Sequence, residues 1–230
     1  MKIIGIKMLG VFILVALLGQ TVFAQESKQF TTRENIGSQN TAVVLIEFQK
    51  TWTEKGFLNW LIREEYKSRN VLDNTANLVR KARKFGFSVI QAPLILDKED
   101  KDRYKKVPLF PRLLGGFTKG TWKEEFTEGI YENTDIVVKG RCSFDATECS
   151  NLEEILKQKG IKNILFCGFT TDVCVELTMK TLIAKGYNCI LVSGCTAARN
   201  HAIQKEVENR NKTMTSLDVI KLFATGDNRQ

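Results

Sequence analysis

The chain has 230 residues, 43% of them hydrophobic, and a formal net charge of +8, which fits one domain with a sizeable core. The positive balance does not mark a nucleic-acid binder, because Lys and Arg are interleaved with Asp and Glu and no aromatic-basic stripe stands out. The six cysteines, at positions 142, 149, 167, 174, 189 and 195, have the spacing of neither a small disulfide scaffold nor a paired zinc-knuckle site.

The N-terminus reads as an export signal. Met1 to Lys7 is short and carries two lysines, Met8 to Leu18 is apolar and uncharged, and Val22-Phe23-Ala24 offers small residues at the two positions a signal peptidase reads. The apolar run falls well short of the roughly 18 residues that span a bilayer. The expected organisation is a signal peptide over 1–24, a polar lead-in over 25–40 and a single domain over 41–230. The mature protein is then expected in the periplasm or outside the cell, with no membrane attachment after signal removal.

Strand and helix patterns alternate from there. Thr41 to Phe48 is β-branched and apolar and ends on Glu47. Asn70 to Phe85 carries Val71, Leu72, Leu78, Val79 and Ala82 as a helical stripe closed by Gly86. Phe87 to Leu96 is a second strand. Asp97 to Gly120 is charged, then rich in Gly and Pro, and predicts a long surface loop or lid. Asp135 to Val138 is a short strand, Leu152 to Lys159 a helix, and Lys162 to Cys167 a strand ended by Gly168. Thr171 to Lys185 predicts a helix with Val175, Met179, Leu182 and Ile183 on one face, Tyr187 to Val192 a strand, and Asn200 to Ala224 a mostly helical tail. Alternation with short Gly-ended joints predicts an α/β fold: a doubly wound, mostly parallel sheet with helices on both faces.

In such sheets ligands bind beyond the carboxyl ends of the strands. Glu47, Lys139 and Cys174 all fall there, a carboxylate, an ammonium and a thiol at one sheet edge. Thr170 or Thr171 can cap the helix that follows, and a thiol in its first turn feels the positive end of the helix dipole, which favours thiolate. The free N–H groups of that turn can hold an oxyanion. Cys167 and Cys189 sit in apolar runs as small buried hydrophobes. Cys142 and Cys149 are spaced to bridge one loop, a pairing the sequence leaves open. Trp52 and Phe57 are aromatics for either a pocket or the core.

The run Cys167-Gly168-Phe169-Thr170-Thr171-Asp172-Val173-Cys174-Val175, then Thr178 and Gly186-Tyr187, resembles the nucleophile turn of the isochorismatase-like cysteine hydrolases. That superfamily includes nicotinamidases, N-carbamoylsarcosine amidohydrolases, and ureidoacrylate and biuret hydrolases. Val137-Val138-Lys139-Gly140-Arg141 with Ser143-Phe144 is similar to its lysine segment, Gly120-Thr121-Trp122 to its Gly-Thr step, and Val44-Leu45-Ile46-Glu47-Phe48-Gln49 to its opening strand. The resemblance runs from about Thr41 to Ala198. It implies a catalytic set of Cys174, Lys139 and Glu47, with Glu47 standing where the family normally has Asp. It also implies a cis peptide at Phe169–Thr170, an oxyanion hole from the N–H groups of Thr170 and Cys174, and substrate contacts from Gln49, Trp52 and Phe144. The segment from Gln91 to Asp97 has no His for the nicotinamidase metal site, and His201, the sole histidine, lies in the tail. No metal and no cofactor are therefore expected. The activity implied is metal-independent hydrolysis of a C–N bond in a small amide, carbamoyl or ureide compound through a thioester. The alternatives are an isochorismatase-type vinyl-ether hydrolase, which needs no thiol, or a retired homologue that binds a small molecule or partner. Oligomers are expected by analogy with relatives.

Overall fold

Six strands pair into one parallel sheet in the order β3-β2-β1-β4-β5-β6, with β1 Thr41–Ile46, β2 Ser88–Ala92, β3 Ile136–Val137, β4 Asn163–Phe169, β5 Asn188–Ala197 and β6 Thr213–Thr215. The computed structural model describes residues 36–226, so the expected signal peptide and most of the polar lead-in lie outside the described residues. Among those described, no helix is long and apolar enough to cross a membrane.

A parallel sheet needs a crossover after each strand, and the crossovers cover both faces. The burial pattern of β1 records this. Val43 and Leu45 join one core, together with Leu78, Val79 and Phe223, while Ala42, Val44 and Ile46 join the other, with Leu156, Met179 and Leu182. The alternation has period two, so both faces of every central strand must be apolar, which is why these segments read as continuous hydrophobic runs. The doubly wound expectation is met.

Several elements differ from the sequence expectation. Residues 97–120, expected as a loop, contain two helices, Lys101–Lys106 and Leu109–Leu114. Each is only six residues long, and Pro108 and Pro111 punctuate the stretch, so no sustained period betrays them. Gly168 does not end β4; it lies inside the strand, which runs to Phe169. The helix expected from Thr171 opens instead as a π-helical turn, Thr171–Val175, before the α-helix Glu176–Ala184. Val175 in that turn and Met179 and Leu182 on the helix are buried, but Ile183 is exposed. The helical tail contains β6, which extends the sheet by one short parallel strand beside β5.

The order places the topological switch at β1, which pairs with β2 on one side and β4 on the other. Ile46 stands opposite Gly168. A Cβ at Gly168, whose φ is +122°, would lie 2.0 Å from the Ile46 carbonyl oxygen, an approach only glycine permits. Gly168→Ala is expected to destabilise the fold by about 4 kcal/mol or more. At Gly116 the added methyl meets the Leu58 Cδ1 at 2.9 Å, a movable side-chain end, and the cost should be about 1 kcal/mol. Urea midpoints of the two variants check the contrast, and equal losses would contradict it.

Candidate active site

Three strand ends meet at the switch. Glu47 follows β1 directly, with φ +55°, a left-handed conformation uncommon for a residue with a side chain. Its N–H donates to the Ala92 carbonyl at the end of β2, 3.3 Å away. That same carbonyl accepts from Arg141 Nη1 at 2.9 Å. Arg141 reaches it from beyond β3, just after Gly140, whose φ is +87°.

The Glu47 carboxylate is held at both oxygens. Oε1 accepts from Arg141 Nη2 at 2.5 Å, and Oε2 accepts from the Trp52 indole N–H at 2.9 Å. Glu47 and Arg141 side chains are each only 1% exposed. Burying such a pair is tolerable only when its other donors and acceptors are matched. Arg141 meets that condition, because Nε donates to the Ser143 carbonyl at 2.9 Å and Nη2 also to that of Phe144 at 2.7 Å.

Cys174 completes the cluster from the π-helical turn after β4 and is 3% exposed. The turn is entered through a cis peptide between Phe169 and Thr170, at the bond where the resemblance implied one. Neither threonine caps it with a side chain. The Thr171 hydroxyl donates instead to Gln204 Oε1 at 2.8 Å. The thiol lies within reach of both charged partners. Burial first, and then the Glu47 charge, push its pKa well above the ordinary thiol value, while Arg141 pulls the other way. The sequence expectation of an acidified thiolate is therefore reversed: burial and the adjacent carboxylate outweigh the cation and any helix-terminal field. The resting form is the neutral thiol.

The structure brings together Cys174 and Glu47 but not Lys139. Lys139 is exposed, and its backbone is pinned by Asn151, whose Oδ1 accepts the Lys139 N–H at 2.8 Å and whose N–H donates to the Lys139 carbonyl. Arg141, two residues on, takes the cationic position. Sequence alone assigned Arg141 no role; the signal available was Gly140 between the two basic residues, a residue free to take the positive φ found there.

Nor does Gln49 offer its amide to a substrate. Its Nε2 donates to the carbonyls of Leu94 and Glu124, both at 3.0 Å, and its Oε1 accepts from the Leu94 N–H. Trp52 is buried against Phe117 and Phe169 with its N–H spent on Glu47, so it positions the acid. Phe144 is half-buried against the second core and supplies the carbonyl to Arg141. Thr170 is buried beside the nucleophile turn. Phe57 is exposed and stacks on Trp60. A surface cleft of about 300 Å³, lined among others by Thr51, Phe57, Leu58, Trp122 and Lys123, includes none of Glu47, Arg141 and Cys174.

Cys142 and Cys149 form a disulfide, while Cys167, Cys174, Cys189 and Cys195 are free and buried. Among the described residues no three His, Cys, Asp or Glu side chains gather as metal ligands. His201 is exposed, 3.4 Å from Glu65.

A family model for the isochorismatase domain matches residues 41–218. An Arabidopsis thaliana protein named probable inactive nicotinamidase is 27% identical over 170 residues, covering 70% of this chain and 82% of its own length. The ureidoacrylate amidohydrolase of Azorhizobium caulinodans is 24% identical over 177 residues, covering 70% and 78%. Among solved structures, a cysteine hydrolase from Pseudomonas syringae pv. phaseolicola superposes with a TM-score of 0.74 at 20% identity, covering 84% of this chain and 97% of that one. The N-carbamoylsarcosine amidase of Thermoplasma acidophilum gives a TM-score of 0.62 at 20% identity, covering 77% and 96%. These likenesses show the shared fold.

Two measurements test the site. Arg141→Ala strands a buried carboxylate and should cost about 3–5 kcal/mol. Lys139→Ala, at an exposed position, should stay within about 0.5 kcal/mol of the parent. Equal losses in denaturant melts would refute the assignment. The second concerns alkali. Cys174 and Cys167 are raised mainly by burial, and burial pushes the Cys189 thiol up to about 12. A folded pKa above the unfolded one means the native state holds the proton longer. That stabilisation is complete below about pH 8.5, the unfolded thiol value, and drains as pH rises above it. Stability should fall above pH 8.5 by up to about 1.4 kcal/mol per pH unit for each such thiol. Cys174→Ala should flatten the slope by one thiol's share in urea midpoints taken from pH 8 to 10.5.

Proposed function

Because this chain belongs to the isochorismatase family, a family of hydrolases, we propose that it cleaves a C–N bond in a small amide, carbamoyl or ureide compound outside the cytoplasm, using Cys174 as nucleophile. The observation that carries the reading is the convergence of one thiol, one carboxylate and one guanidinium at the switch point, beside a cis Phe169–Thr170 bond. The names of the ureidoacrylate amidohydrolase and N-carbamoylsarcosine amidase relatives support the bond class.

The neutral thiol defines the first step. Glu47 accepts the Cys174 proton as sulfur attacks the substrate carbonyl, so thiolate character develops only along the reaction path. Arg141 takes the part expected of Lys139. Its charge pairs with the Glu47 carboxylate and offsets the negative charge building on sulfur and oxygen. The N–H groups of Thr170 and Cys174 hold the oxyanion. Glu47 then returns its proton to the leaving nitrogen, which departs as amine or ammonia and leaves a thioester on Cys174. Water, deprotonated by Glu47, attacks that thioester, and the acid product leaves with the thiol restored. The methylene by which Glu exceeds Asp is taken up by the left-handed turn at Glu47 and by the Trp52 N–H, which fixes the far oxygen.

One observation favours a second reading. Glu47, Arg141 and Cys174 are closed off, and the thiol is held protonated, as in a homologue retired to binding. A vinyl-ether substrate is disfavoured because it gives Cys174 no task. Incubation with a panel of amides, carbamoyl compounds and ureides, followed for amine release and for an acyl adduct by intact-mass spectrometry, separates these. The hydrolase reading expects release that Cys174→Ala abolishes and Arg141→Lys lowers about 100-fold, through misplacement by about an ångström. A panel compound that raises the melting temperature with neither amine nor adduct would establish the binding reading instead.

A further inference from the structure

Cys142 follows Arg141 directly, and its bridge to Cys149 closes the segment that carries the carbonyls of Ser143 and Phe144. Two of the guanidinium's acceptors therefore sit inside a disulfide-bounded loop. The near end of that loop is packed tightly, since a Cβ at Gly140 would come within 2.5 Å of the Cys149 carbonyl oxygen. Its far side is tied to the nucleophile turn, because the Ala146 N–H donates to Thr178 Oγ1, which in turn donates to the Cys174 carbonyl. Covalent closure of the loop is thus connected at one end to the cation of the site and at the other to the backbone of Cys174.

The two sulfurs are not equivalent. Cys142 is buried, whereas Cys149 is exposed and holds a left-handed φ of +60°, a conformation that favours glycine. Cys149 is therefore the half of the bridge that an external thiol meets first. We propose that the Cys142–Cys149 bridge is a thiol-exchange site, taking low-molecular-weight thiols or dithiols at Cys149, whose redox state sets how firmly Arg141 is held on Glu47. The inference rests on the reading of Glu47 and Arg141 as the acid and cation of the site.

The chemistry balances with thiol as reductant. A thiolate attacks Cys149 sulfur, forming a mixed disulfide and expelling Cys142 as a thiolate that takes up a proton. A second thiol attacks the sulfur of the small molecule, releasing Cys149 as a thiol and the reductant as its own disulfide. Two electrons and two protons have then passed to the protein. The freed loop no longer fixes the Ser143 and Phe144 carbonyls, so the guanidinium loses part of its shell and the Glu47 charge is less well matched.

Trp52 reports that charge, because its indole N–H binds Glu47 Oε2. The test uses the full chain carrying Trp60→Phe and Trp122→Phe, so that Trp52 is the sole indole, titrated in buffers of reduced and oxidised glutathione. Alkylation and peptide mass spectrometry give the fraction of bridge reduced; tryptophan emission and far-ultraviolet dichroism are read in parallel. The expected result is an emission shift that tracks reduction, reverses on reoxidation and leaves secondary structure intact. Cys142→Ser/Cys149→Ser should show the shifted emission without reductant and no response to it. Unchanged emission on full reduction, loss of secondary structure with the bridge, or free thiols at both positions in the oxidised protein would each overturn the inference. None of these readouts needs turnover, so a failed substrate screen would sink the hydrolase reading and leave this test standing.

Discussion

The buried pairing of Glu47 with Arg141 is the constraint around which the strand ends are arranged. Two opposite charges removed from water lose several kcal/mol of solvation each, and their attraction compensates only when geometry and surrounding hydrogen bonds are good. That requirement reaches into distant parts of the chain. The end of β2 must present the Ala92 carbonyl, the segment after β3 must fold back to present two more, and Trp52 must aim its indole N–H at the second carboxylate oxygen. The positive φ values at Glu47 and Gly140 accompany the same arrangement.

The thiol is placed against a pair that is already neutralised. The cation beside Cys174 favours thiolate, and burial of the thiol opposes it. An isolated carboxylate would hold a thiol that never ionises. With both present and bonded to each other, burial and the Glu47 charge hold the Cys174 pKa well above the ordinary thiol value, and the carboxylate is fixed at both oxygens. A buried thiol kept neutral in this way is guarded from oxidation, which proceeds through thiolate.

The sheet was legible because burial on both faces writes itself into composition: the centres of β1, β4 and β5 are runs of Val, Ile, Leu, Phe and Cys. The nucleophile turn was legible from its motif, including the cis bond at Phe169–Thr170. What escaped depended on direction rather than identity. Lys139 and Arg141 are two residues apart and both cationic, and their identity does not say which is buried; it is Arg141. The family resemblance implied Gln49 and Trp52 as substrate contacts, with Trp52 open to the core as well; their polar groups are bonded inside the protein, to Leu94, Glu124 and Glu47. The thiol's titration was misjudged because a helix start is visible in sequence and a desolvated carboxylate neighbour is not.

The strand order has a consequence for how the chain acquires this site. β1 emerges early, but one of its two edges is completed by β4, with Asn163 and Thr41 hydrogen-bonded across a separation of 122 residues. Pairings so remote are closed late and slowly, because the loop entropy must be met before the contacts reward it. Helices and the β1–β2 pair can assemble while Cys174 is still unplaced. Folding intermediates will therefore carry ordered secondary structure, an open apolar strand edge and a solvent-exposed thiol at the same time. For a chain with six cysteines, that interval, and not the native state, is when wrong disulfides and strand-edge aggregation compete with folding.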